Sequence, residues 1–146
     1  MINIKKVFLG GTCNESIWRD TLISMLSIDY FNPVVEDWTE ECYQEELKQR
    51  EICDYCLYVI TPRMTGTYSI AEVIDDSNKR PGKTIFCFLE HDLSDYKMYD
   101  GERRYIQSFD KGQLKSLDKV GIMVENNGGK YFKSLIGVAE YLNSNN

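Results

Sequence analysis

Apolar and polar positions along the chain fall into alternating blocks of two kinds. Lys6-Val7-Phe8-Leu9-Gly10 is a short apolar run that breaks at Gly10-Gly11-Thr12, the pattern of a buried parallel strand opening into a loop. Within Glu15–Leu26, the residues Ile17, Trp18, Leu22, Met25 and Leu26 share one helical face, which predicts a helix capped by Asn14. Tyr30–Val35 predicts a brief strand, and Pro33 marks it as an edge or irregular one. Thr39 opens a strongly polar helix through Glu51. Asp54–Thr61 is a continuous apolar and aromatic run stopped by Pro62, the signature of a central strand covered on both faces. A helix over Ser69–Asn78 follows, with Ile70, Ala71, Val73 and Ile74 inward, and Pro81-Gly82 turns the chain into a strand at Thr84–Leu89. His91–Asp110 is the least patterned stretch, an irregular excursion or a lid. Leu114, Leu117, Val120 and Val124 then mark a helix ended by Gly128-Gly129, Tyr131-Phe132 a fifth strand, and Ser134–Leu142 a last helix.

Strands alternating with helices predict an α/β fold of the flavodoxin-like kind. The expected architecture is three layers around a five-stranded parallel sheet of order 2-1-3-4-5, with residues 1–146 forming one domain. Sheets of this type bind ligands beyond the carboxyl ends of the strands, where the strand order reverses. That rule singles out the loops Gly10–Asn14 and Thr61–Ser69.

Charge and composition narrow the partners. Seventeen Lys and Arg against 23 Asp and Glu leave a formal charge of −6, so no excess positive charge exists to hold a nucleic-acid polymer. Apolar runs such as Cys56–Ile60 and Thr84–Leu89 are strand-sized and fall far short of the roughly 20 residues that cross a bilayer. Met1–Lys6 leads straight into a strand and lacks a signal-peptide pattern, which gives a cytoplasmic expectation. The five cysteines (Cys13, Cys42, Cys53, Cys56 and Cys87) are odd in number and suit reduced thiols. Cys53-Asp54-Tyr55-Cys56 has redox or half-metal-site spacing, but no second such motif and a lone His91 accompany it, so no metal and no cofactor are expected. Cys56 then points into the sheet, and His91 reads as a solvated loop residue.

The candidate chemistry lies at the predicted cleft. Gly10, Gly11 and Thr12 let backbone approach a ligand closely, but no third glycine or Gly-Lys-Ser/Thr follows to make a dinucleotide or nucleotide loop. The loop after the central strand adds Met64, Thr65, Gly66 and Ser69, with Glu72 just beyond. Ser69-Ile70-Ala71-Glu72 also fits a capping box, so Glu72 has two readings: a helix cap, or a carboxylate kept ionised by the helix N-terminus and facing the cleft. Such a carboxylate suits a glycosidic carbon with oxocarbenium character. Asp37 and Trp38, just past the second strand, offer a hydrogen-bond acceptor and a stacking ring for a nucleobase, whereas Trp18 reads as core. Arg63 is a candidate for a 5′-phosphate.

Phe8-Leu9-Gly10-Gly11-Thr12, the strand Asp54–Thr61 and Tyr68-Ser69-Ile70-Ala71-Glu72 together resemble the nucleoside 2-deoxyribosyltransferase family, in particular its small branch found in bacteria and phages. The resemblance covers residues from about 5 to 90. It implies a nucleophilic glutamate at Glu72, in a Gly-Ser/Thr-x-x-Glu motif whose glycine is here Tyr68. It also implies an acid on the second helix, eight positions before Asp54, which is Glu46, serving proton transfer to the base. Where the family commonly carries an aspartate, six residues before the nucleophile, this chain has Gly66. Asp54 starts a strand at the end away from the cleft and is left out of the site.

Three functions follow as expectations. The first is cleavage or transfer at the N-glycosidic bond of a nucleoside or nucleotide through Glu72, with Glu46 as the second acid. The second is a non-catalytic module that binds a nucleotide derivative in the same pocket. A more distant third is NAD glycohydrolysis, as in TIR-like domains that use a similar strand–loop–glutamate arrangement. A homo-oligomer is expected, from the tyrosine-rich stretch Tyr96–Tyr105 and the apolar fourth helix, and because relatives complete their sites across subunits.

Overall fold

The computed structural model describes residues 3–144; Met1 and Ile2 of the N-terminal lead lie outside it. Its elements run β1 (Lys6–Gly11), α1 (Trp18–Ile23), β2 (Asp29–Phe31), α2 (Glu40–Ile52), β3 (Tyr55–Ile60), α3 (Tyr68–Lys79), β4 (Thr84–Phe88), β5 (Tyr96–Tyr99), β6 (Glu102–Tyr105), α4 (Lys111–Asn126), β7 (Lys130–Phe132) and α5 (Leu135–Ser144). Five strands form one parallel sheet in the order β2-β1-β3-β4-β7. This is the expected flavodoxin-like order, with β7 in the fifth place because the antiparallel hairpin β5-β6 intervenes in the chain.

The period-two geometry of a strand sends successive side chains to opposite faces. Val7, Leu9, Tyr55, Leu57, Val59, Ile85 and Cys87 pack on one side with Trp18 and Leu22 of α1 and Val138 and Leu142 of α5. Phe8, Cys56, Tyr58, Ile60, Phe86 and Phe88 pack on the other with Val73 of α3 and Leu117 and Val124 of α4. β3 is buried along its whole length, as its continuous apolar run requires. Cys56 is in the sheet core and Asp54 accepts a hydrogen bond from the Lys6 amide (2.8 Å), at the end of the sheet away from the cleft.

Helix α2 buries little apolar surface: its fully buried residues are Gln49 and Arg50. It is held by polar contacts instead. Thr39 caps it by accepting from the Cys42 amide (3.2 Å), Cys56 Sγ donates to the Arg50 carbonyl (3.2 Å), and Lys83 Nζ donates to the carbonyls of Glu51 and Cys53 (2.6 and 2.7 Å).

Several local expectations are corrected. Asn14 does not cap α1. Its backbone is left-handed (φ 23°) and its Nδ2 crosses to the Arg63 carbonyl (2.7 Å) and Thr65 Oγ1 (3.0 Å), so the first helix starts only at Trp18, with Ser94 Oγ accepting from the Ile17 amide. β2 stops at Phe31, before Pro33. Part of the stretch after His91 is regular: Tyr96–Tyr99 and Glu102–Tyr105 pair as a hairpin, closed by Asp100 and Gly101 at positive φ (49° and 81°). His91 is no solvated loop residue: its ring stacks on Tyr105 (5.4 Å between centroids).

Candidate functional site

At the carboxyl ends of β1 and β3 two adjoining cavities open, of about 290 and 280 Å³, with Gly11, Cys13 and Ser69 lining both. The larger is lined by Phe8, Pro33, Val34, Val35 and Trp38 and by Arg19, Glu46 and Glu72, over a floor of Gly10 and Gly11. The smaller is lined by Thr12, Asn14, Met64, Thr65, Gly66 and Tyr68. The fold thus brings Gly10, Gly11, Trp38, Glu46, Ser69 and Glu72 to one cavity and Thr12, Met64, Thr65 and Gly66 to its neighbour. Asp37 is exposed and lines neither.

The glycine floor has a packing cause. A Cβ on Gly10 would lie 2.6 Å from the Tyr58 ring, and one on Gly11 would lie 2.0 Å from the Val59 carbonyl oxygen, at a φ of +117°. With β1 pressed this closely on β3, Thr12 Oγ1 accepts from the Thr61 amide (2.9 Å) and the Thr12 amide donates to the Val59 carbonyl (2.9 Å).

Glu72 lies one turn inside α3, whose N-cap is Thr67 and makes no side-chain cap bond. The Ser69–Glu72 capping box is therefore not formed. The Glu72 side chain, 14% exposed, meets Arg50 of α2 instead, with Nη1 to Oε2 at 3.4 Å. Burial pushes its carboxyl up to about 7, against the pull of Arg50 and with Glu46, Asp76 and Asp75 adding to the rise. Desolvation and the neighbouring carboxylates thus work against the ionised form that a helix N-terminus favours. Glu46, half-buried across the same cavity, is also raised by burial, opposed by the Trp38 indole donor, Arg50 and Arg19. Carboxyls shifted upward in a cleft mark acid–base chemistry.

Arg50 is 6% exposed and bonds the fully buried Asp76 through Nε (3.2 Å) and Nη2 (2.9 Å). Asp76 also accepts from Tyr58 Oη (2.5 Å) and from Arg80. Burial opposes the Arg50 charge, but Asp76, Tyr58 and Glu72 hold it firmly protonated. Arg19, lowered by burial, donates to the carbonyls of Leu9 (3.0 Å), Gly11 (3.3 Å) and Thr12 (2.7 Å) and so fixes the loop that forms the cavity floor.

Arg63 is not free for a phosphate. It forms a two-bond pair with Asp95 (2.7 and 2.6 Å), donates to the Asn14 carbonyl (3.1 Å) and lies 3.7 Å from Asp92. Asp92 is fully buried; burial opposes its charge, while Thr61 Oγ1 (2.5 Å) and Ser94 hold its carboxyl low. Arg63 thereby ties the Thr61–Gly66 loop to the segment ahead of the hairpin. Trp38 is 57% exposed at the cavity wall and its ring lies 5.6 Å from Tyr43. Among the described residues, no group of three or more His, Cys, Asp or Glu is placed to hold a metal ion, and no helix is long and apolar enough to cross a membrane.

Sequence reasoning missed Arg19, Arg50, Asp76 and Asp92. For Arg50 a signal was present: it is the one arginine of a glutamate-rich helix and lies three residues before the buried Cys53. Asp76 and Asp92 carried none, because a buried acid reads as a surface one until its partners are placed. In comparison with known proteins, residues 4–91, well over half of the chain, match the family model described as "Nucleoside 2-deoxyribosyltransferase like". No curated protein and no solved structure matches.

Proposed function

The chain belongs to the nucleoside 2-deoxyribosyltransferase-like family, and from that premise we propose that it cleaves or exchanges the N-glycosidic bond of a deoxynucleoside or nucleoside. The observation that carries the reading is Glu72, a largely desolvated carboxyl on the cavity wall, held at one oxygen by Arg50 and sharing the cavity with a second raised carboxyl, Glu46.

In this mechanism a Glu72 oxygen bonds to C1′ as the C1′–N bond breaks, and the bond's electron pair leaves with the base. The Glu46 proton passes to the departing base nitrogen. A second base or water then attacks C1′, the glycosyl–Glu72 ester bond breaks, and the incoming group's proton returns to Glu46. Two displacements retain configuration at C1′. The base is proposed to stack on the wall of Trp38, Val34 and Val35, with the sugar over Gly10, Gly11 and Ser69. Arg19 and Arg63, the arginines nearest this cleft end among the described residues apart from Arg50, are both committed to protein oxygens, which disfavours a phosphate-bearing substrate. Self-association belongs to the same proposal, with the exposed Tyr96, Met98 and Tyr99 of the hairpin as its surface.

Gly66, at the position where the family commonly carries an aspartate, favours a second reading in which the pocket binds a nucleoside derivative without turnover. The test is incubation with deoxynucleosides, ribonucleosides, their monophosphates and NAD, with and without an acceptor base, resolved by chromatography. Free base or an exchanged nucleoside supports the first reading. Ligand binding without product supports the second.

A further inference from the structure

Nothing on α3 itself holds Glu72 in place: the N-cap is bare and the capping box is absent. The group that does so comes from α2. Arg50 spends Nε and Nη2 on the two oxygens of Asp76, at 3.2 and 2.9 Å, and Nη2 also reaches Asp75 at 3.3 Å. Two anchored nitrogens fix the plane of the guanidinium. The third, Nη1, is thereby presented to Glu72 Oε2 at 3.4 Å. Asp76 is immobilised in turn, fully buried and bonded by Tyr58 and Arg80. Among the described residues Arg50 is the one hydrogen-bond donor to the Glu72 carboxyl, and it engages one oxygen only.

We infer that Arg50, clamped by Asp76, is the positioning residue for Glu72: it holds Oε2, leaves Oε1 to the reacting carbon, and sustains the carboxylate charge. This rests on the reading of Glu72 as nucleophile. The clamp also explains why α2, a helix with almost no apolar face, is docked through a buried arginine. The charged and titratable groups that bear on Glu72 are Arg50 and Glu46 from α2, Asp75, Asp76 and Tyr68 from α3, and Tyr58 from β3. Of these, Arg50 alone is cationic.

The test follows the Glu72 carboxyl by ¹³C NMR in ligand-free protein, assigned with Glu72→Gln, beside steady-state rates, in Arg50→Met, Arg50→Lys and Asp76→Asn. In Arg50→Met the Glu72 titration midpoint rises by about one unit or more and kcat falls by tenfold or more, on the order of the loss that a small misplacement brings. Arg50→Lys keeps the charge without the two-point grip, so its midpoint moves little while kcat still drops. Asp76→Asn separates position from charge. Removing that negative charge lowers the Glu72 midpoint, which by electrostatics alone would raise the rate at pH 6, whereas a loosened Arg50 lowers kcat with KM little changed. Should Arg50→Met fail to fold, Arg50→Lys and Asp76→Asn decide the matter. An unmoved midpoint in folded Arg50→Met, an Arg50→Lys protein with full kcat, or a faster Asp76→Asn overturns the assignment. If the wild-type chain turns over no nucleoside while the midpoints shift as stated, Arg50 keeps its hold on Glu72 and the nucleophile reading is what fails.

Discussion

Arg50 Nη1 and Glu72 Oε2 stand 3.4 Å apart on two different helices, one turn inside α3 from its bare N-cap. The carboxyl is thus drawn back against α2, on the wall of the cavity it shares with Glu46 and Trp38. The pair is not a simple stabilising salt bridge: desolvation outweighs the attraction, so the carboxyl stays raised to about 7 beside a cation.

The rate is expected to follow a bell in pH. The productive form carries one proton between Glu46 and Glu72, and both carboxyls are raised by burial. The pair titrates as a unit, so the singly protonated form disappears above about 7, as the shared proton is lost, and also at low pH, as both fill. In Glu46→Gln the high-pH fall should vanish and leave a single rising limb with a midpoint below 7, because Glu46 no longer adds to the Glu72 shift. A wild-type profile that rises to a plateau would remove Glu46 from proton transfer.

Glu72→Gln should cost several orders of magnitude in turnover while raising stability at neutral pH. The Glu72 carboxyl lies near 7 in the folded chain against an ordinary 4.5. Between those values the native state binds more protons than the unfolded one, so wild-type stability falls as pH rises across the window and is level outside it. The slope is at most about 1.4 kcal/mol per pH unit. Melting curves at pH 5 and pH 8 check this: the gap between Glu72→Gln and wild type should widen at pH 8. A lower Tm for the variant at both pH values would show that Glu72 acts structurally.

Trp38 supplies an optical probe. Its indole faces Glu46 from a largely exposed position, while Trp18 is buried with its Nε1 donating to the Thr12 carbonyl (2.8 Å). Adding the right nucleoside should change the emission of wild type and much less that of Trp38→Phe, with EDTA present throughout. An equal change in both proteins would put the base elsewhere.

Gly11→Ala should destabilise the chain by about 2–4 kcal/mol, from left-handed strain together with a clash. The added methyl would meet the Val59 backbone, which has no flexible end to move away. Denaturant unfolding measures it. A change under 0.5 kcal/mol would show that β1 and β3 separate easily at the cavity floor.

The sheet was legible because its runs are unambiguous: Val7–Leu9, Tyr55–Ile60 and Thr84–Phe88 are each too apolar for anything but a strand covered on both faces. The hairpin was missed although Asp100-Gly101 between Tyr96–Tyr99 and Glu102–Tyr105 is a standard turn signal, because both strands are short and exposed and have no buried side to mark them. Local pattern also misled at Asn14 and at Ser69–Glu72. Asn14 is drawn away from a cap by Arg63 and Thr65, and α3 begins at Tyr68, which puts Ser69 inside the helix and leaves Glu72 to Arg50 of α2. Periodicity is a local property, and these partners are brought close only by the sheet.

The central claim is that Glu72 bonds covalently to the sugar. Its most direct test is mass spectrometry of acid-quenched, protease-digested protein after brief incubation with a panel of deoxynucleosides and no acceptor base. The expected result is a deoxyribosyl adduct on the peptide that carries Glu72, formed by wild type, absent in Glu72→Gln and discharged by an added base. Product formation with the peptide unmodified at every quench time, or an adduct on another residue, would contradict it.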